Sequence, residues 1–571
     1  MSERIFIGVA WPYANGPLHL GHIAGAYLPA DIFARYHRLK GNDVLMVSGS
    51  DQHGTPVTLR AEQEGTTPQD VVSRYHQSFL TSWQDLGISF DLFTTTGTEN
   101  HRQVVHELFL NLFDKGYIYK DTMSLAYCLH CTRFLPDRYV NGTCPYCRYE
   151  GARGDQCDEC GKPLNPVDLL DIHCGICNGT PEFRESEHFF LRLSAFSDQL
   201  KNWITKQTHW RQNVYNFSLR YLEDGLRDRA ITRDIQWGIP LPFPGYEDKR
   251  IYVWFEAVTG YLSAAKEWST NAGDSERWRD FWQGNVKSYY FIGKDNIVFH
   301  TIIWPAILLG RGDLNIAYDV PANEFLTLEG RQLSTSRNWA IWVPDYLERY
   351  PPDPLRYFLS ANMPETSDSD FSWREYIRRN NDELVATYGN LVHRVLTLMY
   401  RNFEGQVPPI LNIDADSKAL MNKAEMTLKN TDNLLYNCHF RESVREAMAL
   451  AQEANRYLDS KAPWKTIKTD KDTAGTYLSV VLNTICYLKT ILYPFLPFSS
   501  EKLHTMLGFT GSIQEYGWTG QTPRTGQKLA APEPLFNKLD ESVLEEENKR
   551  LSEAVLSTKR VSNGGLDVVL N

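Results

Sequence analysis

The sequence predicts an α/β unit with a parallel sheet, interrupted by a cysteine-rich insert and followed by an all-α helix bundle. Three observations carry this reading. Strand-like and helix-like patterns alternate along the first 115 residues and resume at Arg250. Eight of the ten cysteines fall between Cys128 and Cys177, where the alternation breaks. From Trp373 onward apolar residues recur at three- and four-residue spacing, the period of a helix face.

Taken in order, Arg4–Ala10 is a short apolar run of strand type, and a Pro/Gly-rich turn, Trp11 to Pro17, follows it. A helical pattern then runs from about His19 to Lys40, Asp43–Ser48 reads as a second strand, and Pro68–Leu86 and His101–Lys115 read as helices. Strand, helix, strand is the signature of parallel pairing, because a crossover must carry the chain back across the sheet. After the insert, Arg250–Trp254 and Lys287–Ile292 read as strands, Ile297–Leu309 as a helix and Asn323–Thr327 as another strand. The bundle is expected over Asp382–Arg401, Ala415–Tyr436, Phe440–Leu458 and Thr473–Tyr493, with a charged helix and a frayed tail from about Val543.

A chain of 571 residues is too long for one hydrophobic core, so several domains are expected. Hydrophobic content of 42% and charged content of 23% are those of a soluble globular protein. No apolar run reads as long enough to span a bilayer, and Met1–Phe6 lacks the basic start of a signal peptide. A cytoplasmic protein is expected. A net charge of −11 excludes a globally basic nucleic-acid binder, but not one that uses local basic patches. Cys438 and Cys486 stand alone in helical patterns and read as core.

His19-Leu20-Gly21-His22 stands between the first strand and its helix. Two histidines three apart share one side of a helical turn, and the free N–H groups of a helix N-terminus attract phosphate. Gly21 leaves the backbone open to a flat base or ribose. Such a pair alone also fits surface or metal-binding histidines. Its place at the carboxyl end of a parallel strand favours a ligand site.

The cysteines form four Cys-x-x-Cys pairs: Cys128/Cys131, Cys144/Cys147, Cys157/Cys160 and Cys174/Cys177. In a reducing compartment these read as zinc knuckles, and eight thiolates make two closed, structural sites of four cysteines each. Adjacent and nested pairing satisfy the spacing equally.

The stretch Ala10 to His22 resembles the class I aminoacyl-tRNA synthetases, and within them the methionyl-tRNA synthetase family. So do Gly49-Ser50-Asp51-Gln52-His53-Gly54-Thr55-Pro56, Tyr252-Val253-Trp254-Phe255-Glu256-Ala257, and Phe291 to Asn296 with His300. The likeness runs to about residue 510. It implies ATP-dependent activation of methionine and its transfer to the 3′ end of tRNA(Met), initiator included. The fold it implies is a Rossmann-type parallel-sheet catalytic domain in two halves, 1–115 and 231–325. A connective insert with zinc knuckles would occupy 116–230, and a linker fold with a mobile loop 326–375. An anticodon-binding helix bundle would follow at 376–542, and a C-terminal helix and tail at 543–571. The resemblance also implies nested knuckles and Mg²⁺ with ATP. Many members carry a further dimerisation module, and the sequence ending at Asn571 leads to the expectation of a monomer.

By the same resemblance His19, Gly21, His22 and Thr335 bind ATP. His19, His22, Lys294, Arg331, Gln332, Ser334 and Thr335 serve catalysis. Ala10, Trp11, Tyr13, Trp254, Ala257, Tyr261 and His300 surround the methionine side chain, and Asp51 meets the ammonium. Asn390, Arg394 and Trp464 read the anticodon, with Ala386 where a further Asn is usual. The mobile loop, Gln332-Leu333-Ser334-Thr335-Ser336, departs from Lys-Met-Ser-Lys-Ser at both lysines, with Arg331 and Arg337 flanking it. Trp11 and Val258 replace a more usual Leu and Pro.

Two other readings compete. One is another ATP-dependent nucleotidyltransferase or a sister synthetase for isoleucine, valine, leucine or cysteine. The branched-chain enzymes carry a large editing insert, and the cysteine enzyme spreads its zinc ligands along the chain, unlike the clustered knuckles here. The other is a non-catalytic tRNA-binding paralogue, motivated by the altered loop.

Overall fold

A strand buried on both faces sends alternate side chains into two cores. That is how the first strand is used: Ile5, Ile7 and Val9 enter one core and Phe6 the other. The computed structural model describes residues 2–136, 139–154, 157, 159–160, 164, 166–335 and 337–564, the side chains only up to residue 556. The central strands are β1 (Arg4–Val9), β2 (Asp43–Ser50), β3 (Leu92–Thr95), β4 (Lys287–Gly293) and β5 (Ala322–Asn323), in the spatial order β5-β4-β1-β2-β3. All pairings are parallel, with Ile5 opposite Val44 on one side and Lys287 on the other. Chain order reverses between β1 and β4, which opens a crevice at their carboxyl ends.

Local chemistry fixes the flanking helices. Thr67 caps Pro68–Leu86 through a reciprocal pair with Asp70, and Gly87 ends it in the left-handed conformation, φ 68°. Thr98 caps Glu99–Asp114. Three segments depart from simple helix. The expected helix His19–Lys40 is a turn, Leu20–His22, then π-helix over Ile23–Tyr27, then α-helix over Leu28–Leu39. His300 lies in a second π segment, Phe299–Ile303, and Asn380–Gly389 is a third. Such wider turns recur at functional sites. The expected strand at Arg250–Trp254 is only Arg250–Ile251; Trp254 opens the helix Val253–Asn271.

The insert pairs two long antiparallel strands, Ile118–Cys128 and Glu182–Leu191, and hangs the knuckles from a small second sheet. Its apolar core is small, and Cys128, Cys144, Cys157 and Cys174 are among its buried members.

The bundle helices are Asn390–Asn402, Ala415–Tyr436, Phe440–Lys461 and Lys471–Leu492. The last is long and apolar enough to cross a membrane, which corrects the reading that no run approaches that length. Its most apolar stretch is 83% buried inside the protein, the position of a bundle core helix. One core runs unbroken from the sheet into the bundle. Arg356, 1% exposed, ties the parts together: it pairs with Asp31 at 2.6 Å and donates to the carbonyls of Leu86, Pro494 and Phe495. The helix Ser542–Gly564 returns to the linker, where Glu547 accepts from Arg349 at 2.9 and 3.0 Å and from Tyr350 at 2.9 Å.

Candidate active site

The chain leaving β1 turns sharply and lies beside the chain leaving β2. Asp51 N–H donates to Pro12 O and Ala14 N–H to Asp51 O, both at 2.8 Å. This sets Tyr13 beside Asp51. His19 then caps the short helix: its Nδ1 accepts the Gly21 N–H at 3.1 Å, and the His22 Nδ1 accepts the His19 N–H at 3.1 Å. An imidazole nitrogen that accepts a backbone proton carries none, so in each neutral ring the proton sits on Nε2. The rings stack at 3.8 Å. Desolvation lowers the His19 pKa well below the ordinary range, with His22 adding to the effect, and lowers that of His22 to about 4. Both are therefore neutral Nε2–H donors at pH 7.

The segment after the signature loop is stitched onto this turn. Leu20 N–H donates to Ile341 O, Val343 N–H to Leu18 O, and Trp342 bridges His19. The loop begins as a hairpin, Leu326–Leu328 against Arg331–Gln332. Leu333 lies over Gly21, in the space expected for a base or ribose. Ser334 and Trp339 exchange backbone hydrogen bonds, and Arg337 Nε donates to Ser334 Oγ at 3.2 Å. Ser336 lies outside the described residues. Thr335, His22, Pro12, Tyr13 and Gly16 line a cleft of about 1070 Å³. Arg331 and Gln332 are exposed, and the Arg331 guanidinium lies 5.1 Å from the Trp339 ring centre. Lys294, expected among the catalytic residues, pairs with Glu324 at 2.7 Å and Asp368 at 2.8 Å, across the Phe325 ring.

Beside the histidines is an aromatic pocket. The Trp11 indole fits a slot made by two glycines: a Cβ on Gly49 would come within 2.3 Å of it, and one on Gly260 within 2.7 Å. Tyr27 Oη donates to the Ala10 carbonyl at 2.9 Å. His300 Nδ1 donates to Asn296 O at 2.9 Å, so its Nε2 accepts from Tyr261 Oη at 2.7 Å. Burial drives the His300 pKa down to about 4 and that of Tyr261 well up, so the pair is uncharged. Trp254 remains 38% exposed, packed on Phe299 and Tyr252, and Ala257 is half-buried one turn on. Val258 is buried. Asp51 is 3% exposed, and burial followed by repulsion from Glu256 raises its pKa well above the carboxylate range. An arriving cation would reverse that shift.

Sequence reasoning gave no role to His53, Glu256 or Arg233. His53 and Glu256 lie within quoted motifs, but their contact spans 203 residues, which no local spacing can announce.

The knuckles pair in nested fashion: Cys128, Cys131, Cys174 and Cys177 form one group, and Cys144, Cys147, Cys157 and Cys160 the other. Neighbouring sulfurs stand 3.4 to 3.9 Å apart, and none of the cysteines is in a disulfide. Tetrahedral thiolates on a zinc ion lie about 3.8 Å apart, given Zn–S bonds of about 2.3 Å. Both groups fit a metal ion of that kind.

On the bundle, the Arg394 guanidinium lies 5.1 Å from the Trp464 ring centre and pairs with Asp459 at 2.8 Å. Asn390 is exposed one turn earlier, and Ala386 is exposed a turn before that.

Known proteins resemble the chain over most of its length. The family model described as tRNA synthetases class I (M) matches residues 5–396, and the anticodon binding domain of methionyl tRNA ligase matches residues 407–555. A methionine–tRNA ligase of Dehalococcoides mccartyi (strain CBDB1) is 63% identical over 551 residues, covering 96% of this chain and 100% of its own. The methionine–tRNA ligase of Thermomicrobium roseum is 53% identical, covering 96% and 99%. Among solved structures, the Mycobacterium tuberculosis methionyl-tRNA synthetase in complex with methionyl-adenylate superposes with a TM-score of 0.79 at 25% identity, covering 94% of this chain and 100% of that one. This chain belongs to the methionine–tRNA ligase family of class I tRNA synthetases.

Proposed function

We propose that this chain activates L-methionine with ATP, releasing pyrophosphate, and transfers the methionyl group from the adenylate to the 3′ end of tRNA(Met). The observation that carries the reading is one juxtaposition. Two neutral histidines at the switch point of a parallel sheet, under the signature loop, stand beside an aromatic pocket with a buried carboxylate.

The residues divide the work. His19 and His22 donate from Nε2 to the phosphates, and being neutral they do not trap pyrophosphate as a fixed ion pair would. Thr335 and Ser334 approach from the loop, and Arg331 and Gln332 stand at its hairpin. Mg²⁺ accompanies ATP and neutralises phosphate charge. Asp51 takes the ammonium. Ala10, Trp11, Tyr13, Trp254, Ala257, Tyr261 and His300 surround the thioether, and the aromatic edges suit its polarizable sulfur. Lys294, held by Glu324 and Asp368, reaches phosphate only by exchanging those partners. Asn390, Arg394 and Trp464 take the anticodon bases by stacking and hydrogen bonds. Zn²⁺ fills both four-cysteine groups in a structural role. The domain limits are those expected from the sequence, and the enzyme works in the cytoplasm.

The deciding experiment is ATP–pyrophosphate exchange with each of the twenty amino acids, followed by aminoacylation of tRNA. Exchange with methionine alone is expected. Exchange with a different amino acid points to a sister synthetase, and none at all to a non-catalytic paralogue.

A further inference from the structure

Beside the methionine pocket is a carboxylate–imidazole pair to which the activation chemistry gives no task. Glu256 Oε1 lies 2.7 Å from His53 Nδ1. The Glu256 side chain is 0% exposed, and its other oxygen is buried without a hydrogen-bond partner among the described residues. A carboxylate on Nδ1 fixes that nitrogen as the donor and leaves Nε2 with its lone pair outward. No hydrogen bond or ion pair of Nε2 is found among the described residues, and the ring, edge-on to Trp237, lines a small pocket with Tyr13, Trp254 and Arg233.

The size and connections of this pocket limit what it can hold. Its volume is about 50 Å³. By the same measure a water needs about 10–15 Å³, so the pocket has room for a hydroxyl group. It adjoins the large cleft, since Tyr13, Thr55 and Pro56 line both. His53 also adjoins the ammonium partner, because its own N–H donates to Asp51 Oδ1 at 3.1 Å. Among the described residues, the charged and titratable groups around the ring are Glu256 from the helix Val253–Asn271, Asp51 just after β2, His101 from Glu99–Asp114, Arg233 from the chain returning out of the insert, and Tyr13 and Tyr252, which line the same pocket.

We infer that His53, oriented by Glu256, is the proton acceptor for the tRNA ribose hydroxyl in the transfer half-reaction. This rests on the reading of the chain as a methionine–tRNA ligase. The hydroxyl oxygen bonds to the carbonyl carbon of methionyl-adenylate, and its proton passes to His53 Nε2. The bond from that carbon to the AMP phosphate oxygen breaks, and AMP departs with the electron pair. The imidazolium is stabilised by the Glu256 carboxylate and returns the proton to solvent. Glu256 is a positioning residue; His53 is the group that meets the reacting hydroxyl.

The test uses full-length enzyme charged with methionyl-adenylate and mixed with tRNA, so that a single turnover of transfer is followed. Methionine-dependent pyrophosphate exchange is measured on the same preparations. General bases contribute on the order of 100- to 10,000-fold. His53→Gln is expected to slow transfer about 100-fold more than it slows exchange, and to flatten the pH profile of transfer. Glu256→Gln, which keeps the shape and a hydrogen bond, is expected to give a smaller loss in the same step. The inference is overturned if both half-reactions fall equally. It is also overturned if transfer is unchanged while the methionine KM in exchange rises, which would make the pair a support for Asp51. Absence of exchange in the unaltered enzyme would instead sink the functional reading itself.

Discussion

Leu333 occupies the space that any side chain at position 21 would need: a Cβ on Gly21 would lie 2.7 Å from Leu333 Cδ1. The loop is thus seated on the histidine turn, and Gly21 is the seat. The same Cβ would stand 2.9 Å from His19 Cε1 and 3.0 Å from His19 Nδ1. The leucine tip can swing away, but the His19 ring is pinned by the Gly21 N–H.

Gly21→Ala is therefore expected to lower the turnover of pyrophosphate exchange about tenfold or more, a barrier change of about 1.4 kcal/mol, with methionine KM little changed. Adding Leu333→Ala should recover part of that loss, since it removes one clash and leaves the other. A double variant no better than the single would show that the loop does not rest on Gly21 during the reaction.

The insert should depend on metal for its fold. Its core is small and includes four buried cysteine side chains, so removing the ion removes much of what orders it. Elemental analysis of enzyme purified without chelator should give two zinc ions per chain. Cys144→Ala should lower this by one, loosen the insert and reduce activity indirectly. A metal content near zero with full activity would refute the assignment.

How far the sequence alone could reach is clear from particular residues. His19, Gly21 and His22 were legible because chemistry and position coincide within four residues. The cysteine pairs were legible as knuckles able to hold metal, but their spacing left the pairing open, and it took the fold to set Cys128 beside Cys177. The engagement of Lys294 with Glu324 and Asp368, and of His53 with Glu256, was not legible. These contacts join parts of the chain 30 to 203 residues apart. Nor did the helical period separate α from π turns at Ile23–Tyr27, since the two share nearly the same apolar pattern over so few residues.

Buried neutral histidines should make the protein acid-sensitive. Burial, with Lys287 and Lys40 nearby, holds His37 at about 3; burial, then His53, holds His101 at about 3; burial holds His300 at about 4. In the unfolded chain each takes a proton near the usual 6.5. The unfolded state then binds more protons than the native one, so the stability these groups confer is present above pH 6.5. It is lost as the pH falls toward 4 and 3, by about 1.4 kcal/mol per pH unit for each group. The urea midpoint should drop steadily between pH 6.5 and 4. His37→Gln should make that drop shallower, and an unchanged slope would show that His37 is not buried neutral.

Recognition at the bundle should be separable from chemistry at the sheet. Arg394 lies over Trp464, so the two form one prepared surface. Stacking of one base on an aromatic ring is worth about 1–3 kcal/mol. Trp464→Ala should therefore weaken aminoacylation roughly ten- to hundredfold while exchange stays near normal. Equal losses in both would place Trp464 in the fold and not in the anticodon site.

The altered loop poses the sharpest question about charge. Pyrophosphate gains mobile charge only as the P–O bond breaks, so a cation in the loop stabilises the transition state more than the bound substrates. Its effect belongs in turnover and not in methionine KM. The loop has Gln332 where a lysine is usual, next to Arg331, whose guanidinium rests against Trp339 and is exposed. Two cases follow. If the site lacks charge, Gln332→Lys adds it, and about 1.4 kcal/mol of extra stabilisation gives roughly tenfold faster exchange. If Arg331 already swings from Trp339 to the phosphates, Gln332→Lys gains little, but Arg331→Ala costs much and Gln332→Lys restores the loss. The arrangement favours the second case. Arg331 lies at the loop's entrance and is held by a stacking contact at an exposed site, worth about 0.5–1 kcal/mol, which is weak enough to release it. Exchange kinetics of the two single variants and the double variant separate the cases. A shift in methionine affinity with exchange turnover unchanged in all three would show that the loop does not act on the phosphates.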